Sequence, residues 1–308
     1  MKRAMKLGIM TGAIPDPFAT IDKFIAQARD VEARGFASFW LANTRGHDAV
    51  TAMAVAGRET TTLEVGTAVT PIQPRHPTAL AQQALTASAL ARGRFTLGIG
   101  LSHKVVIEDS LGLSYAKPAK TMAEYLEILG PLLRGGEAAF KGDLYRSKIA
   151  MDVGDAANPV PLILAALGPM MLDLAGRHAD GTALWMTGAR TIAQHVVPTM
   201  GAAAAEAGRP PPRVVAGFPV VLSNTPDETR QKVGEILQVY GQLPSYRAMM
   251  DREGAAGPGD IALVGDEAEL DAALSRVEEA GATELISVLV ETDPGAKERT
   301  LDFLQSRL

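Results

Sequence analysis

The stretch Leu63-Glu-Val-Gly-Thr-Ala-Val-Thr-Pro71 is followed by a helical pattern over 78–91 and then by Arg94-Phe-Thr-Leu-Gly-Ile-Gly-Leu101. Two short apolar runs, each too brief for a helix, flank one amphipathic segment. That is the signature of a β-α-β unit with parallel strands buried on both faces. Working outward, the same unit repeats. Strands are predicted at 5–10, 36–42, 63–69, 94–101, 161–166, 182–186, 213–222 and 284–290. Helices are predicted at 20–34, 48–58, 78–91, 118–133, 169–178, 190–207, 226–253, 267–280 and 294–308. Thr20 supplies a helix cap and Gly35 a stop. Eight β-α units without an antiparallel meander predict an α/β (β/α)8 TIM barrel, with a doubly wound sheet as the alternative.

The segment 135–160 interrupts the alternation. It holds Gly135-Gly136, Gly142-Asp143, Gly154-Asp155 and Asn158-Pro159, all turn signals. We read it as an insertion after the fourth β-α unit, with a small hairpin at 138–140 and 144–146. No linker divides the chain, so one domain over 1–308 is expected.

Composition narrows the chemistry. The 308 residues are 47% hydrophobic and 21% charged, which excludes a disordered chain. Thirty Lys and Arg against 35 Asp and Glu give a net charge of −5, so no nucleic-acid partner is expected. The absence of Cys excludes disulfides, thiolate metal sites and cysteine nucleophiles. No apolar run reaches the ~18 residues of a membrane helix. After Lys2, Arg3 and Lys6, only residues 7–10 are continuously apolar, too few for a signal sequence. A cytoplasmic protein acting on a small molecule, away from membranes, is the expectation.

Several standard motifs fail. There is no phosphate loop of the G-x-x-x-x-G-K-[ST] type, and Gly98-x-Gly100 runs on to His103 where a dinucleotide fingerprint needs Gly. Ser102 lacks the second Gly of a nucleophile elbow. The histidines at 47, 76, 103, 178 and 195 lack ligand spacing, so no metal is expected. His178 and His195 fall in outer helices, where a solvated face is the default.

Two anion-type helix starts remain. Leu167-Gly168-Pro169-Met170 follows the fifth strand, and Thr187-Gly188 follows the sixth. Free N–H groups and the helix dipole at such starts suit a phosphate, although ordinary capping uses the same residues. Consecutive late strands are where such barrels build a shared phosphate pocket. His103, in the loop after the fourth strand, is the best-placed titratable group for proton transfer near neutrality; hydrogen bonding to backbone or cofactor is its other reading. Trp185 and Tyr115 are candidates for lining an apolar cavity, and core packing suits Trp185 equally.

Three runs taken together resemble the bacterial-luciferase-like flavin oxidoreductase superfamily: Val65-Gly-Thr-Ala-Val-Thr-Pro71, Gly93-Arg-Phe-Thr-Leu-Gly-Ile-Gly100 and Asp180-Gly-Thr-Ala-Leu-Trp-Met-Thr-Gly188. Within it the chain is most similar to the branch that uses the deazaflavin coenzyme F420, with FMN as the alternative cofactor. The resemblance implies a cofactor across the C-terminal mouth of the barrel. It would touch Asn43, Ala68, Val69, Gly100 and His103, then Ala166, Leu167, Gly168, Pro169 and Met170, then Trp185, Met186, Thr187 and Gly188. It also implies a non-prolyl cis peptide at Ala68-Val69, where the residues alone would suggest an ordinary trans strand end, and a homodimer. Asn43 and His103 are the catalytic candidates, and Thr11, Thr44 and Tyr115 the substrate candidates. Where deazaflavin relatives often carry Asp-His, this chain has Asn43-Thr44, and where some carry Gly-Glu it has Ser102-His103. The expected activity is F420-dependent hydride transfer to or from a small organic substrate. An FMN-dependent monooxygenase and a non-catalytic flavin-binding protein are the alternatives.

Overall fold

A computed structural model describes residues 5–156 and 159–308. Lys2, Arg3 and Asn158, named above, lie outside the described residues. Ten strands form one sheet, and eight of them close a parallel barrel. They are β1 (Lys6–Thr11), β2 (Ser38–Leu41), β3 (Glu64–Thr67), β4 (Phe95–Gly100), β5 (Leu162–Ala165), β6 (Gly181–Trp185), β7 (Arg213–Leu222) and β8 (Glu284–Leu289). Each pairs with the next in sequence order. The ring closes because β8 pairs with β1 and β6 with β7, for example Ile9 with Ser287 and Leu184 with Ala216. A closed ring removes the doubly wound alternative. The strands bury nearly every residue, as the continuous apolar runs require.

Two short strands extend the sheet. Thr70–Pro71 pairs with the end of β4, and Leu263–Gly265 pairs with the end of β7. The second was not predicted. Pro219 falls between the last β6 partner, Gly217, and the first residue facing this strand, Val220. A proline is tolerated there because one edge of β7 is locally unpaired.

Helix boundaries follow their caps. Thr20 caps Ile21–Ala33 through Lys23 N–H at 3.3 Å, and Asp48 caps Ala49–Glu59 through Thr51 N–H at 2.9 Å. Asp266 and Glu269 form a reciprocal capping box on Glu267–Glu279. Between Pro118–Leu133 and β5 lies an antiparallel pair, Glu137–Lys141 with Arg146–Ala150, longer than the predicted hairpin.

Two predicted helices are broken, both at proline. The segment 190–207 contains a π-helical turn, Ile192–Val196, before Val197–Glu206. Pro198 lacks the N–H that would continue the regular ladder. The segment 226–253 splits into Pro226–Ile236, Gln238–Gln242 and Pro244–Glu253. Leu243 is extended (φ −80°, ψ 122°) because Pro244 disfavours the helical region for its predecessor.

The N-terminal end of the barrel is plugged. Glu284, 1% exposed, accepts from Arg213 at 2.7 Å and from the Trp40 indole N–H at 2.9 Å, and it bonds the Ser38 hydroxyl. Arg213 also reaches Glu64 at 2.9 Å. Burial alone would lower the Arg213 pKa, but Glu64 and Glu284 raise it. This charged network closes one end, leaving the C-terminal end for chemistry.

Candidate functional site at the barrel mouth

At the C-terminal ends of the strands the loops bring most of the predicted residues together. The peptide bond between Ala68 and Val69 is cis, as the resemblance implies. Gly98 and Gly100 do not leave open space beside it. A Cβ at Gly98 would collide with the Thr67 carbonyl oxygen, and one at Gly100 would lie 2.7 Å from Val69 Cγ2. These glycines let β3 and the 68–69 corner pack closely on β4.

The β1 and β2 loops are tied to each other. Thr44 Oγ1 donates to the Gly12 carbonyl at 3.0 Å, just beyond Thr11 at the end of β1. Asn43 Oδ1 accepts from Ala49 N–H at 3.0 Å. The side-chain oxygen of Asn43 is therefore occupied in holding the start of Ala49–Glu59, a positioning task.

After β4, Ser102 has a left-handed backbone (φ 57°), and the chain then forms a π-helical turn, Val106–Ser110. The Tyr115 hydroxyl donates to the Ser102 carbonyl at 3.3 Å and so braces this loop. His103 is half-buried, and burial lowers its pKa below 6.5. Its ring lies 5.3 Å from that of Tyr246. Tyr246 packs edge-on against Tyr240 at 5.5 Å, and Tyr240 against Trp185 at 5.7 Å. The Tyr240 hydroxyl donates to the Ala13 carbonyl at 3.0 Å. An aromatic row thus runs from the β4 loop to the end of β6, tied to the β1 loop. Burial raises the pKa of Tyr246 well above the usual phenol value, so its hydroxyl stays protonated at neutral pH.

The two helix starts differ. Gly168 precedes Pro169–His178 and provides no side-chain cap; a Cβ there would meet nothing within 4 Å. Met170, in the first turn, is 68% exposed. Ala166, Leu167 and Pro169 frame this open start. At Gly188 the anion position is already filled. Glu253 accepts from Arg190 N–H at 3.1 Å, Thr191 N–H at 2.8 Å and the Thr191 hydroxyl at 2.7 Å. A Cβ at Gly188 would collide with that carboxyl group. A carboxylate of the chain itself thus takes two of the N–H donors, Arg190 and Thr191, at the start that Thr187 and Gly188 lead into. Thr187 is buried and donates to the Trp185 carbonyl at 3.2 Å, while Met186 is left-handed (φ 54°).

His195 corrects a further expectation. It is half-buried, and its Nε2 lies 2.8 Å from the Leu167 carbonyl oxygen. His178 is likewise half-buried, 3.9 Å from Glu127. Sequence reasoning missed Tyr240, Tyr246, Glu253 and His195. The Leu243-Pro244 break was the one available signal that residues 226–253 are not a plain outer helix.

Among the described residues, no group of three or more His, Asp or Glu could hold a metal, and no helix is long and apolar enough to cross a membrane.

Comparison with known proteins sets this geometry in context. The profile of the family described as luciferase-like monooxygenase matches residues 4–288. A Mycobacterium tuberculosis protein, provisionally assigned as a coenzyme F420-dependent oxidoreductase, is 32% identical over 195 residues. That match covers 59% of this chain and 55% of the relative, so the chain spans little more than half of that relative's length. The coenzyme F420-dependent tetrahydromethanopterin reductase of Methanopyrus kandleri superposes with a TM-score of 0.82 at 19% identity, covering 99% of each chain. The oxygenating constituent of 3,6-diketocamphane monooxygenase from Pseudomonas putida, in complex with FMN, gives 0.74 at 17% identity, covering 98% of this chain and 97% of that one. At these identities the structural likenesses establish the fold.

Proposed function

Since the chain belongs to the luciferase-like monooxygenase family, we propose that it is an oxidoreductase using the deazaflavin coenzyme F420 to move a hydride to or from a small organic substrate. The observation that carries this reading is the open, uncapped helix start at Gly168, at the same barrel mouth as the aromatic row. It fits a cofactor with one phosphate and a planar ring. The F420 assignment of the mycobacterial relative favours the deazaflavin. When bound, the coenzyme supplies the hydride chemistry.

The chain's own residues bind and orient. Backbone N–H groups around Gly168 and Met170 take the phosphate, helped by the helix dipole. His195 fixes the preceding carbonyl of Leu167 and with it the approach of the loop. Ala68 and Val69 back the ring. Trp185, Tyr240 and Tyr246 form an apolar wall that excludes water from the substrate. The hydroxyl of Tyr246 and the imidazole of His103 are the proton-bearing groups at that wall. Asn43, Thr11, Thr44 and Tyr115 hold the loops that frame it. The whole chain acts as one catalytic unit, in a homodimer, on a small-molecule substrate.

An FMN-dependent monooxygenase is the second reading, favoured by the family description and the FMN complex of the Pseudomonas protein. The experiment is to titrate purified apoprotein with F420 and with FMN, then follow substrate turnover and oxygen uptake with each reduced cofactor. Tight F420 binding and substrate-dependent turnover without oxygen uptake is the expected result. Tight FMN binding with rapid substrate-dependent oxygen uptake would replace it with the second reading.

A further inference from the structure

We propose that His103 and Tyr246 together bind one uncharged oxygen of the substrate, the hydroxyl of an alcohol or the carbonyl of the matching aldehyde or ketone. The inference rests on the reading that the substrate enters the barrel mouth, and it names the substrate's reacting group.

The polar tips around the mouth are of two kinds. Most are used on the chain itself. The Tyr115 hydroxyl donates to the Ser102 carbonyl at 3.3 Å, the Tyr240 hydroxyl to the Ala13 carbonyl at 3.0 Å and the Thr44 hydroxyl to the Gly12 carbonyl at 3.0 Å. His195 Nε2 lies 2.8 Å from the Leu167 carbonyl oxygen. The His103 imidazole and the Tyr246 hydroxyl differ: among the described residues neither has a hydrogen-bond partner. Yet both residues are half-buried, and burial is the leading cause that lowers the pKa of His103 and raises that of Tyr246. Polar groups enclosed by protein atoms are nearly always hydrogen-bonded. Two neighbouring exceptions, with ring centres 5.3 Å apart, point to a partner supplied from outside the chain. One oxygen atom with a hydrogen bond of about 2.8 Å on each side spans such a gap.

The pair is held from both sides. The His103 carbonyl accepts from Val106 N–H at 2.9 Å and Ile107 N–H at 3.0 Å, which fixes the residue at the start of the π-helical turn. Tyr246 stands in the first turn of Pro244–Glu253, whose last residue is bonded to Thr191 N–H at 2.8 Å. Its ring also packs edge-on against Tyr240 at 5.5 Å. Two segments more than 140 residues apart in sequence thus present their polar edges to each other.

Charge decides the class of group. Neither pKa shift has a carboxylate, an ammonium or a guanidinium among its causes. The nearest charges in sequence pair with one another, Lys104 with Glu108 at 3.6 Å and Arg247 with Asp251 at 2.8 Å. An ionic group placed between the rings would leave water without a counter-ion, a cost that a neutral oxygen avoids. The hydrogen-bonding capacity agrees. Tyr246 stays protonated and donates, while a neutral imidazole has one accepting and one donating nitrogen. An alcohol accepts from Tyr246 and donates to His103. When it is oxidised there, the C–H bond breaks with its electron pair leaving as hydride to a deazaflavin-class acceptor. The O–H proton goes to His103, and Tyr246 keeps its own proton and holds the oxygen as the C=O bond forms. Reduction of the carbonyl runs the same transfers in reverse.

The test uses the full-length protein without cofactor, near neutral pH, and four probes built on one ring: cyclohexanol, cyclohexanone, cyclohexanecarboxylate and cyclohexylammonium. Binding is read from carbon-13-labelled histidine. The chain has five histidines, and the His103 signal is the one lost in His103→Phe. The two neutral probes should shift that signal. The two charged probes should bind at least about tenfold more weakly, for want of a counter-ion. Tyr246→Phe should weaken cyclohexanol about three- to tenfold, the range of one hydrogen bond. The proposal is overturned by a charged probe that binds as tightly as cyclohexanol, by neutral probes that leave the His103 signal unmoved, or by unchanged cyclohexanol affinity in Tyr246→Phe. The wild-type ranking decides the question even if Tyr246→Phe fails to fold. Failure of the same protein to bind F420 would instead overturn the F420 reading and leave this site standing.

Discussion

His195 donates from Nε2 to the Leu167 carbonyl oxygen at 2.8 Å, one residue before the open helix start at Gly168. A carbonyl oxygen only accepts, so the neutral imidazole must carry its hydrogen on Nε2. His195→Phe preserves the ring volume and removes the donor. Cofactor dissociation constants should rise about three- to tenfold, the range of one ordinary hydrogen bond, with the circular dichroism of the barrel unchanged. Unaltered affinity in a folded variant would show that this bond does not position the loop.

Gly168→Val tests the phosphate position. The native backbone there (φ −82°, ψ 158°) is open to any residue, and a Cβ meets nothing within 4 Å. Stability should fall by no more than about 1 kcal/mol, the usual N-cap difference. Cofactor affinity should drop at least tenfold (~1.4 kcal/mol) if the branched side chain blocks the N–H groups. A melt together with a cofactor titration separates the two effects.

The pH dependence of turnover should follow His103. Burial lowers its pKa below 6.5, so the neutral imidazole dominates at pH 7. Between its folded pKa and 6.5 the unfolded chain binds more protons than the folded one. This group therefore costs stability as pH falls through that window and nothing above it. Turnover should be level from pH 7 upward and show its acid limb below pH 6.5. His103→Phe should remove that limb; an acid limb persisting in the variant would assign it to another group.

Tyr246→Phe keeps the ring against His103 and Tyr240 and removes only the hydroxyl. Turnover should fall about tenfold or more, at the low end of general-acid effects, with cofactor affinity unchanged. Full activity would leave Tyr246 a packing role alone.

Glu284→Ala addresses the opposite end of the barrel. It leaves Arg213 with Glu64 only and strips the Ser38 hydroxyl of its carboxylate acceptor, while the Trp40 indole keeps only its bond to Ser38 Oγ at 2.8 Å. Breaking a buried pair costs about 3–5 kcal/mol, readable as a lower denaturation midpoint. Cofactor affinity should not change, because the network lies at the end of the barrel away from the site.

The eight strands, their order and the loops that carry the mouth are legible in the sequence. Parallel strands buried on both faces must be apolar throughout, and their helices must show a 3.6-residue period, so the pattern prescribes eight parallel β-α units; only the closure of the last strand on β1 selects the barrel over a doubly wound sheet. The same local logic found the Gly168 start, since a strand followed by Gly-Pro and a helix is a local arrangement. It could not distinguish that start from Gly188, because the capping group, Glu253, stands more than 60 residues further along the chain. Nor could it see that His195 faces inward or that Tyr240 and Tyr246 join Trp185 and His103 in one row. Those placements depend on how the broken helices after β6 and after β7 pack at the mouth. Residues chosen by local backbone geometry can be read from a sequence, whereas a carboxylate, a phenol or an imidazole acquires its partner only when distant segments meet.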